Sequence, residues 1–317
     1  PGFSKSRDGR AVPKLDMSLK PASAADLASM GNGLERCSRL LDSCIEDKIF
    51  PGAVMLVGHQ GKVIFNYASG SSGFSSDSPR TSSNFVFGSG SFSVPVGVAP
   101  AAMIAADSGS LLLEVPATDY LPELEKMDIG KTGFRDLLRL TASKNGKGRG
   151  VEEEILRRIL SRTTGVPMER FIAERLFVPL GMKNTAYKPA TGFRRGLELS
   201  LDSRIPDFCS SAHDLSIFAQ LLLNRGVYNH RRYFRFETVD AFTGSEGAWS
   251  KPLDSDWTGK IFSTKAFGKI SDAGPLLWID PARKLFIVLI ANGNPDNERI
   301  SEAQRKLCES VVSSLHD

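Results

Sequence analysis

Cysteine is scarce in this chain of 317 residues: only Cys37, Cys44, Cys209 and Cys308 occur, widely spaced and without a CxxC pair. That spacing argues against a zinc site and against a dithiol redox motif. Cys37 and Cys44, seven apart on one expected helix, are too distant to bridge, so all four read as buried free thiols. Histidine is equally sparse. His59 falls in an expected turn, His213 at a helix start, His230 in Tyr-Asn-His-Arg-Arg and His316 near the end, and none has a metal-ligand spacing. No metal and no cofactor is expected. The longest apolar runs, 94–106 and 285–291, fall short of the roughly 20 residues of a membrane-spanning helix. No transmembrane segment is expected.

One-sided charge is also missing. Forty Lys and Arg stand against 36 Asp and Glu, a formal net charge of +4, and they are interspersed rather than gathered into a stripe. Nucleic acid is therefore not the expected partner. The exception is residues 1–21, where Lys5, Arg7, Arg10, Lys14 and Lys20 meet only Asp8 and Asp16. This basic arm, poor in apolar residues, is expected to be extended and ordered by a partner. A chain opening on Pro1 reads as processed, with organellar and secreted destinations both open.

What is present is the balance of a globular protein with a large core, 41% hydrophobic and 24% charged residues. Leu34, Cys37, Leu40, Leu41, Cys44 and Ile45 mark one stripe of a helix within 22–48. The β-rich runs 53–57 and 62–67 flank Gly58-His-Gln-Gly as a hairpin, followed by a Ser/Gly-rich loop over 69–83. A buried helix is expected from near Ser91 to Asp107-Ser-Gly, then helices over 133–140, 151–177 with a break at Gly165-Val-Pro, and 211–224 behind Ser210-Ser211. Glu152-Glu-Glu at a helix start reads as a complement to the helix dipole, and Arg231-Arg232 as solvated surface. The Gly146-Lys-Gly-Arg-Gly stretch follows no strand and reads as a flexible loop rather than a phosphate cradle. Strands over 275–280 and 284–291 joined at Asp280-Pro-Ala-Arg, and a helix over 298–315, close the chain.

This order predicts an α+β fold: an antiparallel sheet built from both chain ends, flanked by terminal helices, with an inserted all-helical lobe. In domain terms, residues 22–317 form a single domain, with an α/β lobe over 22–84 and 255–317 and a helical lobe over 85–254.

Pro51-Gly-Ala-Val with Gly61-Lys-Val, Tyr120-Leu-Pro-Glu-Leu, Phe134-Arg-Asp-Leu-Leu, Pro179-Leu-Gly-Met-Lys-Asn-Thr, Ser211-Ala-His-Asp-Leu and Ile279-Asp-Pro occur in that order. In these stretches the chain resembles the serine β-lactamase and penicillin-binding-protein superfamily, class C β-lactamases and related esterases in particular, over about residues 48–314. The resemblance implies a β-lactamase/transpeptidase-like fold. It also implies three site elements: a serine followed three residues later by a lysine, a Tyr-x-Asn loop, and a Lys/His-Thr-Gly strand.

Counted back from Ala99-Pro-Ala-Ala-Met, the nucleophile position is Ser91 and the lysine position is Val94. No Ser-x-x-Lys occurs anywhere, and Thr141-Ala-Ser-Lys144 stands where the family has a different loop. Pro95 removes a backbone donor beside Ser91, which reads as a helix N-cap. The Tyr-x-Asn position falls at Gly148-Arg149-Gly150, with no tyrosine between Tyr120 and Tyr187. Gly268-Lys269-Ile270-Ser271 keeps part of the third element, and Lys269 could face the old pocket.

Ser91 and Lys269 are thus degenerate remnants. The resemblance with these departures implies a pseudoenzyme, a structural or scaffolding subunit held by protein partners in a larger complex, with residues 1–21 in the contact. The alternative is a weak serine hydrolase, an esterase or peptidase, using Ser91 with help from Lys269 and an oxyanion hole.

Overall fold

The computed structural model describes residues 4–5, 11–12, 17–28, 32–88, 90–143, 149–187, 208–244, 247–252, 257–291 and 297–315. The chain divides into two compact units: residues 1–18, 91–183 and 224–250, and residues 19–90, 184–223 and 251–317.

The second unit is built on a six-stranded sheet. Its strands run, in spatial order, Phe267–Ile270, Leu276–Asp280, Leu285–Ala291, Gly52–His59, Lys62–Gly70 and Lys20–Pro21. All neighbours are antiparallel except the last, which runs parallel to Lys62–Val63. The chain ends therefore meet at the centre, where Leu289 lies opposite Met55 and Ile287 opposite Val57. Between the first two long strands Gln60 and Gly61 take φ of 52° and 78°, the left-handed pair of a two-residue hairpin turn.

Alternation sorts the sheet's two faces. Ala53, Met55 and Val57 join Trp278 and Ile287 in one core cluster with Cys37 and Leu41 of helix Gly33–Glu46 and Leu307, Cys308 and Val311 of helix Asn297–Ser314. The intervening Val54, Leu56, Val288 and Ile290 are buried as well. The apolar helix Ala212–Leu223 packs on these same strands. A seven-residue run without polar alternation is what a strand covered on both faces requires. A small second sheet joins Val86–Gly88, Phe208–Ser211 and Ala186–Tyr187.

The first unit is mainly helical, with Ala99–Asp107, Phe134–Ser143, Arg149–Thr164, Met168–Ile172 and Phe236–Thr243. The expected break falls at Gly165, whose φ is 75°.

The stripe from Leu34 to Ile45 lies on one helix, Gly33–Glu46, and a separate short helix, Ala24–Ala28, also falls within 22–48. Several expectations are corrected. Residues 184–223 group with the sheet rather than the helical lobe, because Ala212–Leu223 covers its face. The inserted lobe is not all-helical: it contributes the strands of the small sheet and the hairpin Val227–Tyr228 with Arg231–Arg232. Nor is the arm wholly free, since Lys20–Pro21 forms an edge strand, Ser4–Lys5 pairs with Ala11–Val12, and the Met17 carbonyl accepts from Asn224 at 2.8 Å. Residues 1–3, 6–10 and 13–16 of the arm, Lys144, residues 145–148 of the glycine-rich stretch and His316 lie outside the described residues.

Candidate functional site

Ser91 sits in the tight turn Gly90–Phe92, and Ser93–Val98 follows as a widened turn before the α-helix Ala99–Asp107 begins. The prolines explain the winding. In an α-helix Pro100 would leave the Val96 carbonyl without its donor and press its ring against that oxygen. Widening relieves both, and the Ala99 N–H reaches back five residues to Val94 O. The same device recurs in this unit: Ala173–Phe177 is wide, Val178 N–H donates to Ala173 O, and Pro179 follows. One α-helix from Ser91 onward was expected. The tight and wide turns replace it.

Val94 is 2% exposed and offers no group that takes a proton. Ser91 is half-buried, and its hydroxyl has no hydrogen bond among the described residues. It is not the helix N-cap expected of it, because Phe92 precedes the wide turn and no side chain caps it. The neighbouring serine is the engaged one. Ser93, 3% exposed, donates to Glu153 Oε1 at 2.6 Å. That is a charge-assisted hydrogen bond between residues 60 apart, both in the first unit.

Glu153 comes from helix Arg149–Thr164, which begins where the Tyr-x-Asn element was placed. Gly148 lies outside the described residues. The buried positions of this helix are Glu152, Ile155, Leu156, Ile159 and Leu160, one continuous stripe. Glu152 is thus part of the buried face and not only a dipole complement. Its spacing of three and four to Ile155 and Leu156 was the available signal. Nothing in the sequence pointed to Ser93.

Lys269 belongs to the other unit, at the middle of its strand opposite Leu277, and is 4% exposed. The glycine before it has a steric reason: a Cβ at Gly268 would stand 2.2 Å from the Trp278 ring and 2.5 Å from Leu277 O. The turn after the strand is held from the last helix, where Gln304 Nε2 donates to Ser271 O at 3.1 Å and Gly274 O at 2.9 Å. Ser91 and Val94 therefore share one short segment, and Lys269 stands on a rigid strand of the sheet unit.

The other signature stretches are polar staples. Asp214, 1% exposed, accepts from Asn184 N–H at 2.7 Å and Thr185 Oγ1 at 2.9 Å, and Thr185 in turn pairs with Ser210 at 2.7 Å. Ser211 Oγ accepts from Asp214 N–H at 3.2 Å as the N-cap of its helix. Asp280, fully buried, accepts from Ser263 N–H and Oγ at 2.9 and 2.6 Å and from Arg283 Nη1 at 2.9 Å. Burial pushes its carboxyl up, but the bonds from Ser263 and Arg283 outweigh that and hold it below the usual range. His213 Nδ1 lies 3.6 Å from Asp214, whose carboxylate raises the imidazole's pKa. Burial lowers that of His59. Among the described residues, no cluster of three His, Cys, Asp or Glu is placed to hold a metal, and no helix is long and apolar enough to cross a membrane.

Residues 152–308 match the β-lactamase family model. The curated protein described as "Putative D-alanyl-D-alanine carboxypeptidase" from Escherichia coli O157:H7 is 24% identical over 45% of this chain and 44% of its own length, so the chain spans under half of that relative. A penicillin-binding protein homologue from Caulobacter crescentus superposes with a TM-score of 0.69 at 15% identity, covering 89% of this chain and 98% of that one. The D-alanine carboxypeptidase AmpC from Burkholderia cenocepacia gives 0.65 at 19%, covering 90% and 99%. In sequence over residues 152–308, and in fold over about 90% of its length, the chain is similar to serine β-lactamases and penicillin-binding-protein homologues.

Proposed function

We propose that this chain is a catalytically inactive β-lactamase-like protein that serves as a structural subunit of a protein complex. The observation that carries this reading is Val94, a buried aliphatic side chain where the fold's chemistry calls for a base. A positioned base contributes roughly 10² to 10⁴ in rate, and a serine hydroxyl without one is a poor nucleophile at neutral pH. The helix that begins at the Tyr-x-Asn position supports the same reading.

A second reading, a slow serine hydrolase, draws on the retained Ser91 and Lys269 and on relatives named as carboxypeptidases. Incubation with a penicillin or an activated ester, followed by intact-mass measurement, separates the two. The expected spectrum is that of the unmodified chain; a stoichiometric adduct on Ser91 overturns the inactive assignment. The subunit role is tested by native size: the wild-type chain is expected to migrate well above its 34.5 kDa in extract.

A further inference from the structure

The 13 residues 224–236 hold four arginines, Arg225, Arg231, Arg232 and Arg235, and no acidic residue. That is as much positive charge as the formal net charge of the entire chain. They surround the hairpin Val227–Tyr228 with Arg231–Arg232, whose tip residues Asn229 and His230 take φ of 44° and 60°. Arg231 and Arg232 lie at the surface, as the sequence suggests, and their side chains and that of Arg225 make defined contacts there. The Arg231 guanidinium lies 4.9 Å over the Tyr233 ring, and Tyr233 is anchored by its hydroxyl donating to Pro179 O at 2.9 Å. Arg232 Nη1 donates to Phe234 O at 3.1 Å and reaches Arg225 O at 3.4 Å. Arg225 lies 4.9 Å over Phe236 and pairs with Asp240. Arg235 N–H is fixed by Asp107 at 2.7 Å.

A surface arginine ordinarily gives up substantial rotamer freedom when it binds, and here part of that cost is met before any partner arrives. Arg231 and Arg235 are exposed and have no acidic partner among the described residues. Beside them are apolar anchors: Val178, next to Pro179, is 74% exposed, and Phe236 is exposed under Arg225. Ordered arginines and aromatics with an uncovered aliphatic group form the composition of a protein interface. A continuous polyanion fits less well, because the exposed Glu237 and Asp240 border the cations, and the Tyr233 ring a base would stack on is already covered.

We infer that this arginine hairpin, with Val178 and Phe236, is the docking surface for an acidic segment of a partner protein. The inference rests on the structural-subunit reading and names the partner's chemistry. Fluorescence anisotropy with a labelled glutamate-rich 20-residue peptide tests it on the full chain, with an oligonucleotide of equal charge and phosphatidylserine vesicles as comparisons. The double variant Arg231→Glu/Arg235→Glu is expected to weaken peptide binding at least tenfold, while Arg139→Glu elsewhere on the same unit leaves it unchanged. Equal loss in both variants, or tighter binding of the oligonucleotide or vesicles, overturns the inference. Native size separates it from the reading beneath it. A wild-type chain that migrates alone sinks the subunit role, whereas a large wild-type complex retained by the double variant sinks the hairpin's part alone.

Discussion

Ser93 donates its hydroxyl hydrogen to Glu153 Oε1 at 2.6 Å, two residues beyond Ser91. The buried serine in this segment is thereby tied to a helix that starts where an active-site loop was placed. Both Ser93→Ala and Glu153→Ala are expected to destabilise the chain, the former by about 1.5 kcal/mol, as for a hydrogen bond to a charged group. Urea unfolding of the two single variants and the double should show a coupling near 1 kcal/mol. Strict additivity would mean that the bond contributes nothing of its own.

Val94→Lys is expected to restore no measurable esterase rate. The new ammonium would enter a nearly water-free position, which lowers its pKa. Stability should fall by about 1 to 3 kcal/mol, the cost of an unpaired buried polar group. Hydrolysis of an activated ester well above background would place the site elsewhere than at 91.

His213 should give the chain a shallow pH dependence. Its partner Asp214 raises the folded imidazole above the ordinary 6.5, so the stabilisation is complete below that value and fades as pH rises through the folded one. Because more than half of the side chain is exposed, the effect is about 0.5 kcal/mol or less. Relative to His213→Asn, the wild-type urea midpoint should drop between pH 6 and 8. A parallel pair of curves would remove the imidazole from the account.

Native thiol labelling should be slow. Burial pushes the Cys44 thiol up to about 11 and raises Cys37 and Cys308 as well, leaving little thiolate at pH 8. Iodoacetamide should modify these three rapidly only after denaturation, as read by peptide mass mapping. Quick native modification of Cys37 would show that the terminal helices open.

Much of the fold was legible because its elements announce themselves locally. The run 285–291, the stripe Ile300-Ala303-Leu307-Val311 and Gly165 each predict a strand, a helix and a break that the structure contains. The small sheet was not legible: its strands are two to four residues long, and Val86 pairs with Ser211, over a hundred residues away. The winding after Ser91 was hidden for another reason. From Phe92 to Met103 every residue is buried, so no polar face interrupts the apolar one and no period can be read. Ser93 and Glu153 were missed because a pairing between residues 60 apart leaves no mark on either neighbourhood. That residue 94 is a valine, by contrast, needed only its identity.

A turn in which Ala99 reaches five residues back instead of four contains one residue more than the same span of α-helix. The extra residue falls immediately ahead of Pro100, and again ahead of Pro179 where Val178 reaches back to Ala173, so in both places the chain lengthens its turn just before the residue that cannot donate.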